Sequence, residues 1–143
     1  MRKGLEILEI LADGRCHSGG DIARSLNITR AAVWERIATL RAAGLEVQAQ
    51  SGRGYQLANA VELLSVEQIR DRLDPELRSR IREIQLLART DSTNQRLLDQ
   101  SLHADIHGVA CLAETQTQGR GRRGDRWRAP LAGGLYLSLG WRF

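Results

Sequence analysis

Gln118-Gly119-Arg120-Gly121-Arg122-Arg123-Gly124-Asp125-Arg126-Trp127 lies between two apolar stretches, Val109-Ala110-Cys111-Leu112-Ala113 and Leu135-Tyr136-Leu137-Ser138-Leu139-Gly140-Trp141. The first stretch is a short continuous apolar run and predicts a buried strand; the second alternates apolar with small or polar residues at period two and predicts another. Strand, basic glycine loop, strand is an arrangement suited to holding an anion. Glycine lets backbone N–H groups approach a ligand at positive φ, and arginine presents planar forks that match phosphate or carboxylate oxygens. Repulsion among the arginines and the entropy of the glycines oppose order until charge is neutralised, which predicts a lid that folds over an anionic ligand. Arginine-glycine runs also form disordered nucleic-acid tails, but this one is embedded between strands.

The charge distribution points to the same loop. The chain of 143 residues has a formal net charge of +4, with about +2 in residues 1–59, about −3 in residues 60–117 and about +4 in residues 118–128. Cys16 and Cys111 lie far apart without metal-ligand spacing and are expected to be reduced, buried small residues. No metal site is expected. No apolar run approaches the roughly 20 residues that span a bilayer, and the charged, glycine-containing start lacks a secretion signal, so a cytoplasmic protein without a membrane partner is expected.

The first sixty residues carry a second pattern. Leu5, Leu8 and Leu11 with Ile7 and Ile10 repeat at helical spacing and stop at Asp13-Gly14. Ser18-Gly19-Gly20-Asp21 resembles a capping box for a short second helix with Ile22 and Leu26 inward. After Leu26-Asn27-Ile28, Thr29 can cap a third helix whose Val33, Ile37 and Leu40 form one stripe ending at Gly44. Two helices joined by a tight turn make a helix-turn-helix, and Leu45–Ala49 and Tyr55–Leu57, closed by Gln50–Gly54, predict a wing hairpin. Opposite the apolar stripe lie Ala31, Glu35, Ala38 and Ala42, with Arg30, Trp34 and Arg41 on one flank. The candidate DNA-contacting set is Thr29, Arg30, Ala31, Trp34, Glu35 and Arg53. Arg30 and Arg53 suit phosphates, Glu35 must either accept from a cytosine amino group or weaken binding, and Trp34 packs on a neighbouring helix more readily than it stacks on DNA. A three-helix module for protein contacts is the alternative.

A linker at Ala58-Asn59-Ala60 divides the chain into residues 1–59 and 60–143. Ser65-Val66-Glu67-Gln68 predicts a capped helix through Leu73, broken at Asp74-Pro75, and Ile84–Ala88 predicts a strand. Asp91-Ser92-Thr93-Asn94 then falls at the start of a helical stretch through Leu97, Leu98 and Leu102, where hydroxyls and N–H groups gather. On this pattern alone Ser92 or Thr93 is an N-cap.

Taken with Glu114-Thr115-Gln116 before the loop and Gly133-Gly134-Leu135-Tyr136-Leu137-Ser138 after it, these segments resemble the biotin protein ligases. With a winged helix-turn-helix in front, the whole chain resembles the bifunctional members that also repress the biotin operon. The resemblance implies an α+β fold: an N-terminal winged helix-turn-helix followed by the start of a mixed α/β catalytic domain. It implies activation of biotin by ATP, with magnesium, to biotinyl-5'-AMP, and transfer of the biotinyl group to a lysine of biotin carboxyl carrier protein. Operator DNA and a ligand-promoted homodimer are the other implied partners. By the same resemblance Ser92, Thr93, Gln116, Gly119 and Arg120 would bind biotin. Gly121, Arg122, Arg123 and Trp127 would bind the adenylate, with Arg120 and Arg122 as the catalytic pair facing carboxylate and phosphate.

The sequence departs from that family in two places. Asp125 stands where the family more often has a basic residue, which partly neutralises the loop. The family's catalytic lysine lies in a Lys-Trp-Pro-Asn-Asp segment, whereas the one lysine here is Lys3 and the prolines are Pro75 and Pro130. The chain is therefore expected to be the N-terminal part of a larger ligase, unable to complete ligation alone, with Trp141-Arg142-Phe143 leaving an apolar edge prone to self-association. A binding-only regulator that senses biotin or its adenylate is the alternative. A nucleic-acid protein using the Arg-Gly loop as a second contact surface is a third possibility, whereas the GRGRRG run argues against a lipoyl-transferring enzyme.

Overall fold

The computed structural model describes residues 4–121, 125 and 127–143. The fold is α+β and divides into two compact units, Met1–Leu63 and Leu64–Phe143.

In the first unit, helices α1 (Glu6–Leu11), α2 (Gly19–Leu26) and α3 (Arg30–Ala42) precede a hairpin of β1 (Val47–Gln50) and β2 (Gly54–Leu57). Ser18 caps α2: its Oγ accepts from the Asp21 N–H at 3.0 Å and donates to Asp21 Oδ2 at 2.7 Å. Asn27 ends that helix in the left-handed conformation, φ 52°, which asparagine tolerates, and Thr29 Oγ1 then accepts from the Ala32 N–H to start α3. The tight turn between α2 and α3 is made by these two residues. Leu8, Leu11, Ile22, Val33 and Ile37 close the core, each at most 1% exposed. The hairpin is antiparallel with Val47 opposite Leu57, and His17 adds a bridge to Tyr55 through reciprocal N–H to C=O bonds of 2.9 Å. Arg41 takes a structural role: its guanidinium donates twice to the Val47 carbonyl, at 2.9 and 2.7 Å, fastening α3 to the wing.

The second unit contains α4 (Val66–Arg72), α5 (Pro75–Arg80), β3 (Glu83–Leu87), α6 (Thr93–Ser101), β4 (Val109–Ala113) and β5 (Tyr136–Gly140). Asp74-Pro75, expected only to break a helix, begins another. Asp74 Oδ1 accepts from the Glu76 N–H at 2.8 Å, and proline fits the first helical position because its missing N–H would be unpaired there. The sheet runs β3-β4-β5, with β3 parallel to β4 and β5 antiparallel to it. All five β4 residues are buried, as their continuous apolar run requires, and Leu97, Val109 and Cys111 form a core against which Leu87 and Ile106 pack. Cys111 is buried as expected, and burial raises its thiol pKa, while Cys16 is only partly covered; both are free thiols. No helix among the described residues is long and apolar enough to cross a membrane.

Candidate functional site

The second unit gathers its polar groups where strand pairing continues past the regular sheet. Beyond β3 and β4, Thr90 bridges Gln116 in parallel, with the Thr117 N–H donating to the Thr90 carbonyl at 2.9 Å and the Gln118 N–H to the Asp91 carbonyl at 2.8 Å. On its other side Gln116 bridges Ala129, where the chain returns from the basic loop. Gln116 thus sits at the root of that loop.

Ser92 and Thr93, adjacent in sequence, do different work. Ser92 is the N-cap of α6, its Oγ accepting from the Gln95 N–H at 3.4 Å. Thr93 is 2% exposed and faces Gln116, whose Oε1 accepts from the Thr93 N–H at 2.7 Å and from Thr93 Oγ1 at 3.1 Å. Ser138 Oγ, on the inner face of β5, lies 2.8 Å from Thr93 Oγ1. Asp91 shapes the turn from outside: its Oδ1 accepts from the Ser92 N–H and from Thr90 Oγ1, and these bonds hold its carboxyl below the usual 3.8.

The loop is stitched at its base. The Trp127 N–H donates to the Gly119 carbonyl and the Gly121 N–H to the Asp125 carbonyl, both at 2.8 Å, while Thr115 Oγ1 donates to the Ala129 carbonyl at 2.5 Å. Tyr136 donates its hydroxyl to the Pro130 carbonyl at 3.0 Å, and desolvation raises its pKa. The expected reason for the loop glycines needs correction, because neither Gly119 nor Gly121 has positive φ. Space is tight at 119: a Cβ there would lie 3.3 Å from both Gln116 Nε2 and Trp127 Cβ, so these side chains would have to give by a few tenths of an ångström. At 121 the nearest atom to such a Cβ among the described residues, the Asp125 carbonyl oxygen, is at an ordinary 3.5 Å, and no contact with those residues demands glycine. Arg120 is exposed and Trp127 largely so, whereas Arg122 and Arg123 lie outside the described residues. The described site therefore brings together Thr93, Gln116 and Gly119, with Ser92 at its edge.

Two participants were missed by sequence reasoning. Ser138 appeared as part of a strand and of the segment resembling the ligases but with no site role, although its alternation with Leu137 and Leu139 already placed it on the face shared with Tyr136 and Gly140. Glu114 is a 1%-exposed carboxylate at the end of β4, and its Oε1 accepts from the Leu64 N–H at 2.9 Å. No periodicity signals a charged residue in that position.

In the first unit, Ala31, Glu35, Ala38 and Ala42 are exposed along the side of α3 opposite its buried stripe, and Arg30 and Trp34 are exposed on its flank. Trp34 is 61% exposed, so it does not pack into a neighbouring helix as expected. Arg30 and Arg53 line a groove of about 510 Å³ between the start of α2 and the wing. Glycine at position 20 leaves room for the Arg30 guanidinium, whose nitrogen would lie 2.9 Å from a Cβ there. Thr29 Oγ1 accepts the capping bond from the Ala32 N–H, which leaves its hydroxyl proton to donate elsewhere.

Comparison with known proteins finds a match in each unit. Residues 4–56 match the HTH domain family and residues 86–142 match the biotin/lipoate A/B protein ligase family. The chain is similar to the bifunctional ligase/repressors over nearly its whole length. It is 41% identical over 138 residues to the bifunctional ligase/repressor BirA of Escherichia coli (strain K12), covering 96% of this chain and 41% of that protein. Identity to the ligase/repressor BirA of Bacillus subtilis (strain 168) is 32% over 140 residues, covering 97% of this chain and 42% of that one. The biotin–[acetyl-CoA-carboxylase] ligase of Mycobacterium tuberculosis is 41% identical over 86 residues, 51% of this chain and 32% of that protein. The chain thus spans about two fifths of the length of the ligase/repressors it matches.

Proposed function

We propose that this chain supplies the DNA-binding unit and the biotin-facing part of the active site of a bifunctional biotin protein ligase and biotin-responsive repressor. The observation that carries the proposal is the convergence of Thr93 and Gln116 at the root of the Arg-Gly loop, within a segment matching the ligase family. A buried cyclic urea needs donors and acceptors together, and carboxamide and hydroxyl groups provide both. Ser92, Thr93, Gln116, Gly119 and Arg120 would hold biotin; Gly121, Arg122, Arg123 and Trp127 would close on the adenylate. Arg120 and Arg122 would neutralise the biotin carboxylate and the phosphate as they join, and the loop would keep water from the mixed anhydride. Magnesium would enter with the phosphates of ATP.

The acceptor would be a lysine of biotin carboxyl carrier protein, in the cytoplasm. Thr29, Arg30, Ala31, Trp34, Glu35 and Arg53 would meet operator DNA, with adenylate binding coupled to repression through a homodimer. A binding-only sensor of the same ligands is the second reading. Titration calorimetry of the chain with biotin, and with a non-hydrolysable biotinyl-adenylate analogue, tests the ligand site. Submicromolar analogue binding that weakens about tenfold or more in Arg122→Ala is expected, since a charge-assisted pair contributes about 1.5 to 3 kcal/mol. Absence of heat from both ligands in a folded sample would refute the site.

A further inference from the structure

We propose that Ser138 is a positioning residue, acting through Thr93 to present the Gln116 carboxamide nitrogen to the ligand beside Gly119; this rests on the biotin-site reading above. The argument follows the protons. A backbone N–H can only donate, so the Gln116 atom 2.7 Å from the Thr93 N–H is its oxygen. The same oxygen lies 3.1 Å from Thr93 Oγ1, and because a carboxamide oxygen only accepts, the single Thr93 hydroxyl proton is committed to it. In the 2.8 Å contact between the two hydroxyls Ser138 is therefore the donor.

The result is a one-way relay, from Ser138 on β5 to Thr93 at the start of α6 to Gln116 beside the loop. Two bonds to Oε1 turn Nε2 the other way, to the Gly119 position, where a Cβ would come within 3.3 Å of it. Sequential hydroxyl donation strengthens each bond in such a chain. Ser138 thereby holds the Thr93 hydroxyl, and so the carboxamide plane, in one orientation. The ligand atom facing Nε2 must be an acceptor, as a ureido or lactam carbonyl oxygen is, and a protonated cationic group in its place would be rejected.

The test is a double-mutant cycle of Ser138→Ala and Thr93→Val in the full chain, with two readouts. Thr93→Val keeps the backbone bond to Gln116 but removes the hydroxyl link. Without ligand, the Gln116 side-chain amide resonances should move in Ser138→Ala and stay unchanged when the same substitution is made in the Thr93→Val background. With biotin, Ser138→Ala should weaken binding about tenfold in the parent and less than twofold in the Thr93→Val background, while Ser138→Thr should bind within about threefold of the parent. Equal effects in both backgrounds, or a Gln116 amide indifferent to Ser138→Ala, would overturn the relay. A parent chain that binds no biotin would instead count against the biotin-site reading, with the resonance cycle still deciding the relay.

Discussion

At the residue scale, the candidate site depends on side chains whose capacities are nearly exhausted by each other. Thr93 uses its N–H and its hydroxyl proton on one oxygen, and Gln116 thereby keeps its nitrogen for something else. Asp91 performs a similar service at the surface, turning the backbone into α6 by accepting from Ser92 and Thr90. The sign of its pH dependence follows from the bonds, chiefly the backbone N–H of Ser92, that lower its pKa below 3.8. Its stabilising contribution is complete above the ordinary carboxyl value and disappears as pH falls through the lower folded value. Carbon NMR titration of the Asp91 carboxyl should give a midpoint below 3.8. Denaturation curves of the parent and Asp91→Asn should differ at neutral pH and converge in acid; a midpoint at or above the ordinary value would remove the proposed role of the turn. These local roles were only partly legible in the sequence. Caps at Ser18, Thr29 and Ser65 are local in chain distance and were readable, whereas the contact between Thr93 and Ser138 spans 45 positions and exists only once the sheet has formed.

At the element scale, the wing shows how a short hairpin gains a fixed place. Two four-residue strands alone are marginal in water, and here β2 is also bonded to His17 in the connection between α1 and α2. That close approach explains Gly54: at φ 130° it has a backbone few other residues adopt, and a Cβ would fall 2.0 Å from the His17 carbonyl oxygen. Gly54→Ala should therefore destabilise the first unit by on the order of 3 kcal/mol, from backbone strain plus displacement of the bridge. Gly52 is the control, since at φ 71° it is strained for other residues but has open space around it. Gly52→Ala should cost about 1 to 2 kcal/mol. Urea unfolding followed by circular dichroism compares the two, and equal losses would show that the His17 contact does not hold the wing. The hairpin was legible from Gln50–Gly54 between apolar segments, but its tie to His17 was not, because a single bridging residue leaves no periodic trace. Helix α5 escaped for another reason: proline both stops a helix and starts one, and the sequence between Asp74 and Ile81 lacks an apolar stripe to choose between them.

At the scale of the whole molecule, the two faces of β5 set contrasting demands. Tyr136 and Gly140 are buried and Ser138 serves the site, while Leu135, Leu137 and Leu139 on the other side are 63%, 49% and 48% exposed, with Trp141 and Phe143 following. β5 is also an edge of its sheet among the described residues, so its outward backbone groups and its apolar row are presented together. Burial of apolar surface contributes about 25 cal/mol per Å², and covering a few such leucines yields several kcal/mol, enough to offset part of the entropy of association. The chain should consequently associate with itself in a concentration-dependent way, as its sequence already suggested. Replacing both Leu137 and Leu139 with lysine places charge on the exposed row without touching Tyr136, Ser138 or Gly140, and should shift the chain toward monomer while leaving its circular dichroism spectrum unchanged. Sedimentation velocity across a tenfold or greater concentration range distinguishes the cases. A parent chain that stays monomeric throughout, or a doubly substituted chain that associates as strongly as the parent, would show that this face does not drive self-association.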